Sequence, residues 1–324
     1  MQILILGAAG MVGRRLANRL IADGEVGGTP IGAITAFDVV PAELDAGPVL
    51  PSIQTGDIAD RATVNRLVAS RPDVIFHLAA IVSGEAEADF DKGYRINLGG
   101  TQHLFEAIRA LPDYHPRVVY TSSIAVYGAP FEDQITDTFL SAPMTSYGTQ
   151  KAIGELLLND YSRRGIFDGI GLRLPTIVVR PGKPNRAASG FFSGIIREPL
   201  QGMEAVLPVE DSVRHWMASP DAAVGFLVHA ATLDTAPLGA RRCLNMPGVC
   251  ISVADMIEAL RGVAGDEAVA LIRREPDAAV RAIVDNWPED FGPARAIEFG
   301  FTADADFASI IRAHIRDTEG AKAG

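Results

Sequence analysis

A tyrosine and a lysine stand four positions apart in SYGTQKAIGELLL, residues 146–158. Four residues make just over one helical turn, so Tyr147 and Lys151 project side by side from one helix face. A phenol is a poor base at neutral pH because its pKa is about 10, and an adjacent ammonium favours the phenolate and lowers that value. Such a pair can take a hydroxyl proton while hydride leaves the same carbon. Lysine is scarce here, with only Lys92, Lys151, Lys183 and Lys322 in the chain. An accidental pair on a solvated helix face is the competing explanation, and the neighbouring elements decide between the two.

The run RVVYTSS (117–123) reads as a strand that places Ser122 and Ser123 at its C-terminal end, and Tyr147 opens the next helix. A hydroxyl at a strand end and a Tyr/Lys pair on the following helix can converge on one substrate oxygen. In that scheme Tyr147 takes the proton, Lys151 stabilises the phenolate and holds a cofactor ribose, and the serine hydrogen-bonds the reacting oxygen.

A hydride needs an acceptor, and the N-terminus offers a place for one. ILIL (3–6) is wholly apolar, as expected of a strand buried on both faces of a parallel sheet. It runs into GAAGMVG and then RRLANRLIADG, whose apolar positions 12, 16, 20 and 21 have helical spacing. In a strand–turn–helix context Gly7 permits the tight turn, Gly10 lets backbone approach a pyrophosphate, and Gly13 allows close helix–strand packing. Met11 and Val12 lie within the same turn, at the helix N-terminus that would meet the phosphates. The second apolar run, GAITAFDVV (32–40), contains Asp38, a carboxylate placed to accept from ribose hydroxyls and to repel a 2′-phosphate. NAD is therefore expected over NADP, although Arg14 and Arg15 leave a cationic route to NADP open.

Alternation continues. IQTGDI (53–58) reads as a third strand, with a helix from Asp60, and DVIFHLAA (73–80) as a fourth. Residues 85–111 read mainly as helix, 117–123 as the fifth strand and GIGLRLPTIVV (169–179) as the sixth. Strands alternating with helices specify an α/β fold, a Rossmann-type doubly wound parallel sheet. The expected organisation is a cofactor-binding domain over 1–180 that carries the catalytic residues. A smaller, interleaved α/β substrate lobe follows over 181–324.

Bulk properties exclude several function classes. Hydrophobic residues at 48% and charged residues at 21% describe a soluble globular chain, and a formal net charge of −11 argues against nucleic acid as a partner. A local cluster of arginines can still bind a small anion. The apolar run at the N-terminus has no basic region before it and is broken at Gly7, and no segment approaches the roughly 18 uninterrupted apolar residues of a membrane span. A cytoplasmic location with no membrane partner is expected. Cys243 and Cys250 are expected as reduced thiols, and the six scattered histidines imply no metal site. His77 reads as a hydrogen-bonded core residue, Trp216 and Trp287 as packing, and GVCISVADMIEALRGVAG (248–265) as an amphipathic helix capped by Ser252.

Taken together, the glycine turn, DI at 57–58, HLAA at 77–80, YRINLGGTQHLFEAIR, TSSIAVYG, SYGTQK and the tail ARAIEFGFTADADFASIIRAHI resemble the extended short-chain dehydrogenase/reductase family. That family includes nucleotide-sugar epimerases and dehydratases, and the resemblance covers essentially the whole chain. It implies that Gly7, Gly10 and Gly13 bind pyrophosphate, Asp38 the adenosine ribose, and Asp57 with Ile58 the adenine. It further implies that Leu78, Ala79 and Ala80 line the cofactor, that Asn97 lies near its nicotinamide half, and that the chain passes beneath the nicotinamide at Pro175. The catalytic hydroxyl then aligns with Ser123, and Ser122 becomes its structural neighbour.

Within the family, HLAAIVSGEAEADFDKGYRIN, RLPTIVVRPGKPNRAASGFFSGIIREPL and VRHWMASP are similar to enzymes that oxidise the C2 hydroxyl of a four-carbon sugar acid with NAD. The nucleotide-sugar relatives carry an Arg-Asp-x-x-His-Val segment from which RHWMASP (214–220) departs. The implied substrate is a small acid whose carboxylate meets Arg180, Lys183 or Arg214, with Ser83 on a hydroxyl. A nucleotide-sugar epimerase or dehydratase, or a regulator that senses the dinucleotide without catalysis, are the alternatives. Relatives often form homodimers through the helices corresponding to 86–111 and 147–163.

Overall fold

The structure is a computed structural model that describes residues 1–131, 134–182 and 189–323. The chain divides into two units: Met1–Val126 with Pro143–Leu174 and Val224–Asn245, and Tyr127–Ala142 with Pro175–Ala223 and Met246–Gly324.

The first unit is built on seven strands: β1 (Gln2–Leu6), β2 (Ala33–Asp38), β3 (Pro51–Thr55), β4 (Val74–His77), β5 (Arg117–Ser123), β6 (Asp168–Leu174) and β7 (Cys243–Asn245). They lie in the order β3-β2-β1-β4-β5-β6-β7, and every pairing is parallel. The sheet is thus a Rossmann-type doubly wound sheet, with the strand order reversing between β1 and β4, where such sheets open a crevice at their C-terminal ends. Ile3–Leu6 and Val74–His77 are buried throughout, which is why these runs are apolar rather than alternating. One face is covered by α2 (Arg61–Val68) and by a helix over Gly100–Arg109, whose Val64, Leu67, Leu104 and Ile108 pack on Leu4, Phe37 and Ile75. Asp60 caps α2, accepting from the amides of Ala62 and Thr63.

Several elements depart from the sequence-based boundaries: the strand expected over 73–80 ends at His77, and Val249–Ser252 forms a strand ahead of the helix expected over 248–265. The third strand ends at Thr55, because the Asp57 carboxylate accepts from the Ala59 amide and turns the chain, so Asp57 and Ile58 follow the strand. The helical stretch over 85–111 is broken into Ser83–Ala88, Phe90–Gly93, a π-helical turn over Tyr94–Gly99 and Gly100–Arg109. The break falls at Asp89, whose non-helical backbone (φ −130°) lets its side chain cap the next turn by accepting from Lys92. The sixth strand stops at Leu174, since Pro175 brings no amide to the ladder, and Thr176–Ile177 pairs in another sheet. The three-residue β7 lies beyond what alternation alone could show.

The second unit holds a mixed sheet in which Arg214–Ala218 pairs parallel with Thr176–Ile177 and antiparallel with Val249–Ser252. Ala205–Leu207 pairs with Ile272–Arg274, and Ile135–Thr136 with Phe291–Gly292. Its core gathers Phe192, Ile195, Leu207, Met217, Met256 and Ile311. Ser252 does cap the helix Val253–Val269, accepting from the Asp255 amide. Trp216 is buried with its indole N–H on the Met246 carbonyl at 3.1 Å, and Trp287 packs against the core 5.2 Å from the His215 ring. Both cysteines are free thiols. Among the described residues no helix is long and apolar enough to cross a membrane.

Packing in the first unit depends on one approach with no slack. A Cβ on Gly13 would lie 2.0 Å from the Gly7 carbonyl oxygen, a backbone atom that cannot move aside. Gly13→Ala is therefore expected to destabilise the protein by about 1–3 kcal/mol, the scale of overpacking. Gly262→Ala, at a helical site with nothing within 4 Å, should instead gain about 0.5–1 kcal/mol. Thermal melts of the two variants check both signs.

Candidate active site

The C-terminal end of β5 and the first turns of the helix Ser146–Arg163 form the centre of the site. Thr145 caps that helix, accepting from the Gly148 amide at 3.1 Å. At Gly148 a Cβ would stand 2.1 Å from the Ala125 carbonyl oxygen, so only glycine lets the helix start lie against the turn Ile124–Val126 that follows β5. That approach brings the segment carrying Tyr147 to the segment carrying Ser123. The Ser123 hydroxyl oxygen accepts from the Ala125 amide at 3.1 Å, which leaves its own hydrogen to donate.

Lys151 is buried. Its Nζ donates to the Thr121 carbonyl at 2.7 Å and lies 5.7 Å from the centre of the Tyr147 ring and 5.0 Å from that of Tyr120. Burial pulls its pKa from 10.5 down to about 8, against the upward pull of the Glu155 charge. Around neutral pH the group is thus mainly an ammonium, near the Tyr147 ring.

His77 behaves as the buried, hydrogen-bonded residue expected. Its Nε2 is 2.8 Å from the Thr101 hydroxyl, which itself donates to the Asn97 carbonyl, so Nε2 carries the proton. Burial, and then the nearby Lys151 charge, hold its pKa down at about 3. Asn97 sits in the π-helical turn with its amide engaged: it accepts from the Ile81 amide at 2.8 Å and donates to Gln150 at 2.7 Å. It therefore ties the loop after β4 to the residue beside Lys151.

At the reversal between β1 and β4 the glycine turn is built for a phosphate. Gly7 has φ +94°, and a Cβ there would lie 2.7 Å from the Ala79 amide nitrogen, which packs the turn onto the segment Leu78–Ala80. Helix α1 (Met11–Asp23) begins at Gly10 with no side-chain cap and no acidic residue in its first turn. The amides of Met11 and Val12 are thus left for an anion at the positive end of the helix. Asp38 ends β2 with one carboxylate oxygen accepting from Ala9 at 2.9 Å and the other from Val39 at 2.7 Å. Fixed in this way, it keeps further lone pairs for hydroxyl donors. Asp57 pairs with Arg95 at 2.6 Å; burial raises its pKa, but the Arg95 and Ala59 hydrogen bonds outweigh this and lower it. Ile58 is buried against Gly100. A dinucleotide fits this set: uncapped helix-start amides for pyrophosphate and a carboxylate for ribose.

Ser83 opens the short helix Ser83–Ala88 and is half-buried. In the second unit, Pro175 precedes the strand Thr176–Ile177. Arg180 donates from Nε to the Ile177 carbonyl at 2.9 Å and from Nη2 to Ser189 at 3.1 Å. Arg214 is exposed and reaches the Cys250 sulfur at 3.2 Å. Lys183 and Arg186 lie outside the described residues. Sequence reasoning passed over Gly148, Gln150 and the Glu155–Arg173 pair. Two signals were available: Glu155 continues the four-residue stripe of Tyr147 and Lys151, and Arg173 is a charge inside an apolar strand, which requires a partner.

The model of the NAD dependent epimerase/dehydratase family matches residues 3–240. A D-erythronate dehydrogenase of Cupriavidus necator is 47% identical over 99% of this chain and 100% of its own length. One from Haemophilus influenzae is 39% identical over 97% and 99%. The crystal structure of the nucleoside-diphosphate-sugar epimerase from Agrobacterium tumefaciens is 59% identical, with a TM-score of 0.96 over 99% of this chain and 95% of that one. The chain belongs to the NAD dependent epimerase/dehydratase family, the extended short-chain dehydrogenases/reductases, and its cofactor is NAD.

Proposed function

We propose that the protein oxidises the C2 hydroxyl of a four-carbon sugar acid, D-erythronate to 2-dehydro-D-erythronate. The observation that carries this is the buried Lys151 ammonium 5.7 Å from the centre of the Tyr147 ring, on a helix packed against the turn that follows Ser123, in a chain 47% identical to a D-erythronate dehydrogenase. Bound NAD would supply the acceptor for the hydride that leaves C2. Tyr147 takes the hydroxyl proton on its phenolate oxygen as the C–O bond becomes a carbonyl. Lys151 stabilises that phenolate and holds the nicotinamide ribose. Ser123 donates to the reacting oxygen. Gly7, Gly10, Met11, Val12 and Gly13 hold the pyrophosphate, Asp38 the adenosine ribose, and Asp57 with Ile58 the adenine.

Nucleotide-sugar epimerisation is the second reading, favoured by the 59% identity to the Agrobacterium protein. Against it, Arg214–Ala218 reads RHWMA, and the family's nucleotide-sugar segment has an Asp and a His-Val that RHWMASP lacks. Absorbance of NADH separates the two: net NADH with D-erythronate supports the dehydrogenase, and conversion of a nucleotide sugar without net NADH supports the epimerase.

Asp38→Ala should weaken NAD binding by one or two hydrogen bonds, about 1–3 kcal/mol, and narrow the preference over NADP. Fluorescence titration with each dinucleotide measures this, and a wild type that uses NADP as well as NAD would overturn the role of Asp38.

For the base, Tyr147→Phe should lower kcat by at least about a hundredfold, the scale of lost general-base catalysis, with NAD affinity nearly unchanged. Lys151→Met should lower both. Stopped-flow turnover together with NAD titration distinguishes these two patterns, and a Tyr147→Phe enzyme near wild-type rate contradicts the mechanism.

The substrate carboxylate is assigned to Arg180, Lys183 or Arg214, with Ser83 on a hydroxyl. Replacing its true ligand by alanine should raise KM for the acid about 10- to 150-fold, as for loss of a charged hydrogen-bond partner. It should also abolish the preference for D-erythronate over erythritol. Steady-state kinetics of Arg180→Ala, Lys183→Ala and Arg214→Ala decide it; an unchanged preference in all three places the carboxylate elsewhere.

A further inference from the structure

Behind Lys151 the first unit buries a second set of charges that the chemistry above does not use. Glu155 lies one helical turn beyond Lys151 and is itself buried. Arg173, on the neighbouring strand β6, grips its carboxylate with Nη2 at 2.7 Å and Nε at 2.9 and 3.1 Å. The Ser122 hydroxyl donates to the same carboxylate at 2.5 Å, while the carbonyl of the preceding residue, Thr121, accepts from Lys151. Asn245 on β7 lies 3.4 Å from Arg173 Nη1. Taking an ion pair out of water is costly, and an apolar pair of similar volume is often as stable or more so. The arrangement therefore calls for a role besides stability.

We propose that Glu155, fixed by Arg173 and Ser122, is a positioning residue that keeps Lys151 in its ammonium form. The proposal rests on the reading of Tyr147 and Lys151 as base and partner. The groups facing the ammonium leave few other sources of negative charge. Tyr147 and Glu155 come from its own helix, Tyr120 and the Thr121 carbonyl from β5 and His77 from β4, while Arg173 on β6 engages Glu155 rather than the ammonium. His77 is neutral, and Tyr120 is held as a phenol by burial and by Glu155. Burial drives Lys151 toward the uncharged amine, and Glu155 is the charge that opposes it. An uncharged Lys151 would neither lower the phenol's pKa nor hold a ribose by a charged hydrogen bond.

The four lysines make the test direct, because selective carbon-13 labelling at Cε yields four resonances and Lys151→Met identifies one of them. In the wild type the Lys151 signal should titrate at about 8. In Glu155→Gln it should titrate about one pH unit lower or more, a tenfold change in the charged fraction. Arg173→Lys, which keeps the charge beside Glu155, should leave it in place. The activity of Glu155→Gln should match wild type within about threefold below its own inflection. Between the two inflections it should fall toward that of Lys151→Met, so the alkaline limb moves to lower pH. A folded Glu155→Gln whose Lys151 titrates at the wild-type position overturns the proposal, as does a loss of activity equal at every pH. If Glu155→Gln does not fold, Glu155→Gln/Arg173→Met carries the same expectation with both partners removed, and an undisplaced inflection there also overturns it. Tyr147→Phe separates this inference from the base mechanism. Activity near wild type in that variant would defeat the mechanism, while the titration of its Lys151 still reports on Glu155.

Discussion

A lysine ammonium loses its hydration when it enters a protein interior, and the effective penalty amounts to several kcal/mol unless partners replace the water. Lys151 is buried at the C-terminal end of β5, and much of the surrounding geometry meets that requirement. A backbone carbonyl accepts one of its protons, two tyrosine rings lie within cation–π range, and a carboxylate one turn away supplies opposite charge. Those partners impose conditions of their own. Tyr120 reaches the helix only because residue 154 is glycine, since a Cβ there would stand 2.3 Å from its hydroxyl. The carboxylate of Glu155 in turn needs Arg173, and Arg173 needs the strand β6 to be parallel and in register beside β5.

The dinucleotide end of the sheet follows the opposite logic. Where Lys151 is surrounded by groups, the turn after β1 is stripped of them, so that backbone amides face the space where phosphate charge arrives. Gly13 and Gly7 are held against each other, and the turn is anchored sideways on the segment after β4 and by the Asp38 carboxylate. The same carboxylate that ends β2 thus braces the turn by accepting from the Ala9 amide.

The loop after β4 and the helix carrying Tyr147 and Lys151 meet through Asn97. Its carboxamide spans from the loop after β4 to Gln150, next to Lys151 on the helix, so the loop and the helix are held to each other by side-chain hydrogen bonds. The π-helical turn that places Asn97 widens the backbone there, a feature often found at functional sites. The family tie and the fold leave the substrate class to the site itself, because one sheet can serve epimerases and dehydrogenases alike.

What the sequence determined by itself were the features with a local physical cause. The apolar run before a glycine turn and the four-residue Tyr/Lys spacing follow from backbone sterics and helix periodicity. The caps Asp60 and Ser252 follow from the hydrogen-bonding needs of a helix start, so all of these could be read without a partner. The features it left open depend on contacts between distant segments. A three-residue strand at 243–245 has no signal until β6 is there to pair with it. The apolar run 169–179 carries its proline in plain view, yet which sheet each half joins is a matter of pairing. The interruption of 85–111 depends on Asp89 capping a new turn and on Asn97 finding Ile81. Only the tertiary structure joined Glu155, 18 residues before Arg173 in the chain, to that arginine and to Ser122, because a buried charge selects its partner by proximity in space, which sequence separation does not encode.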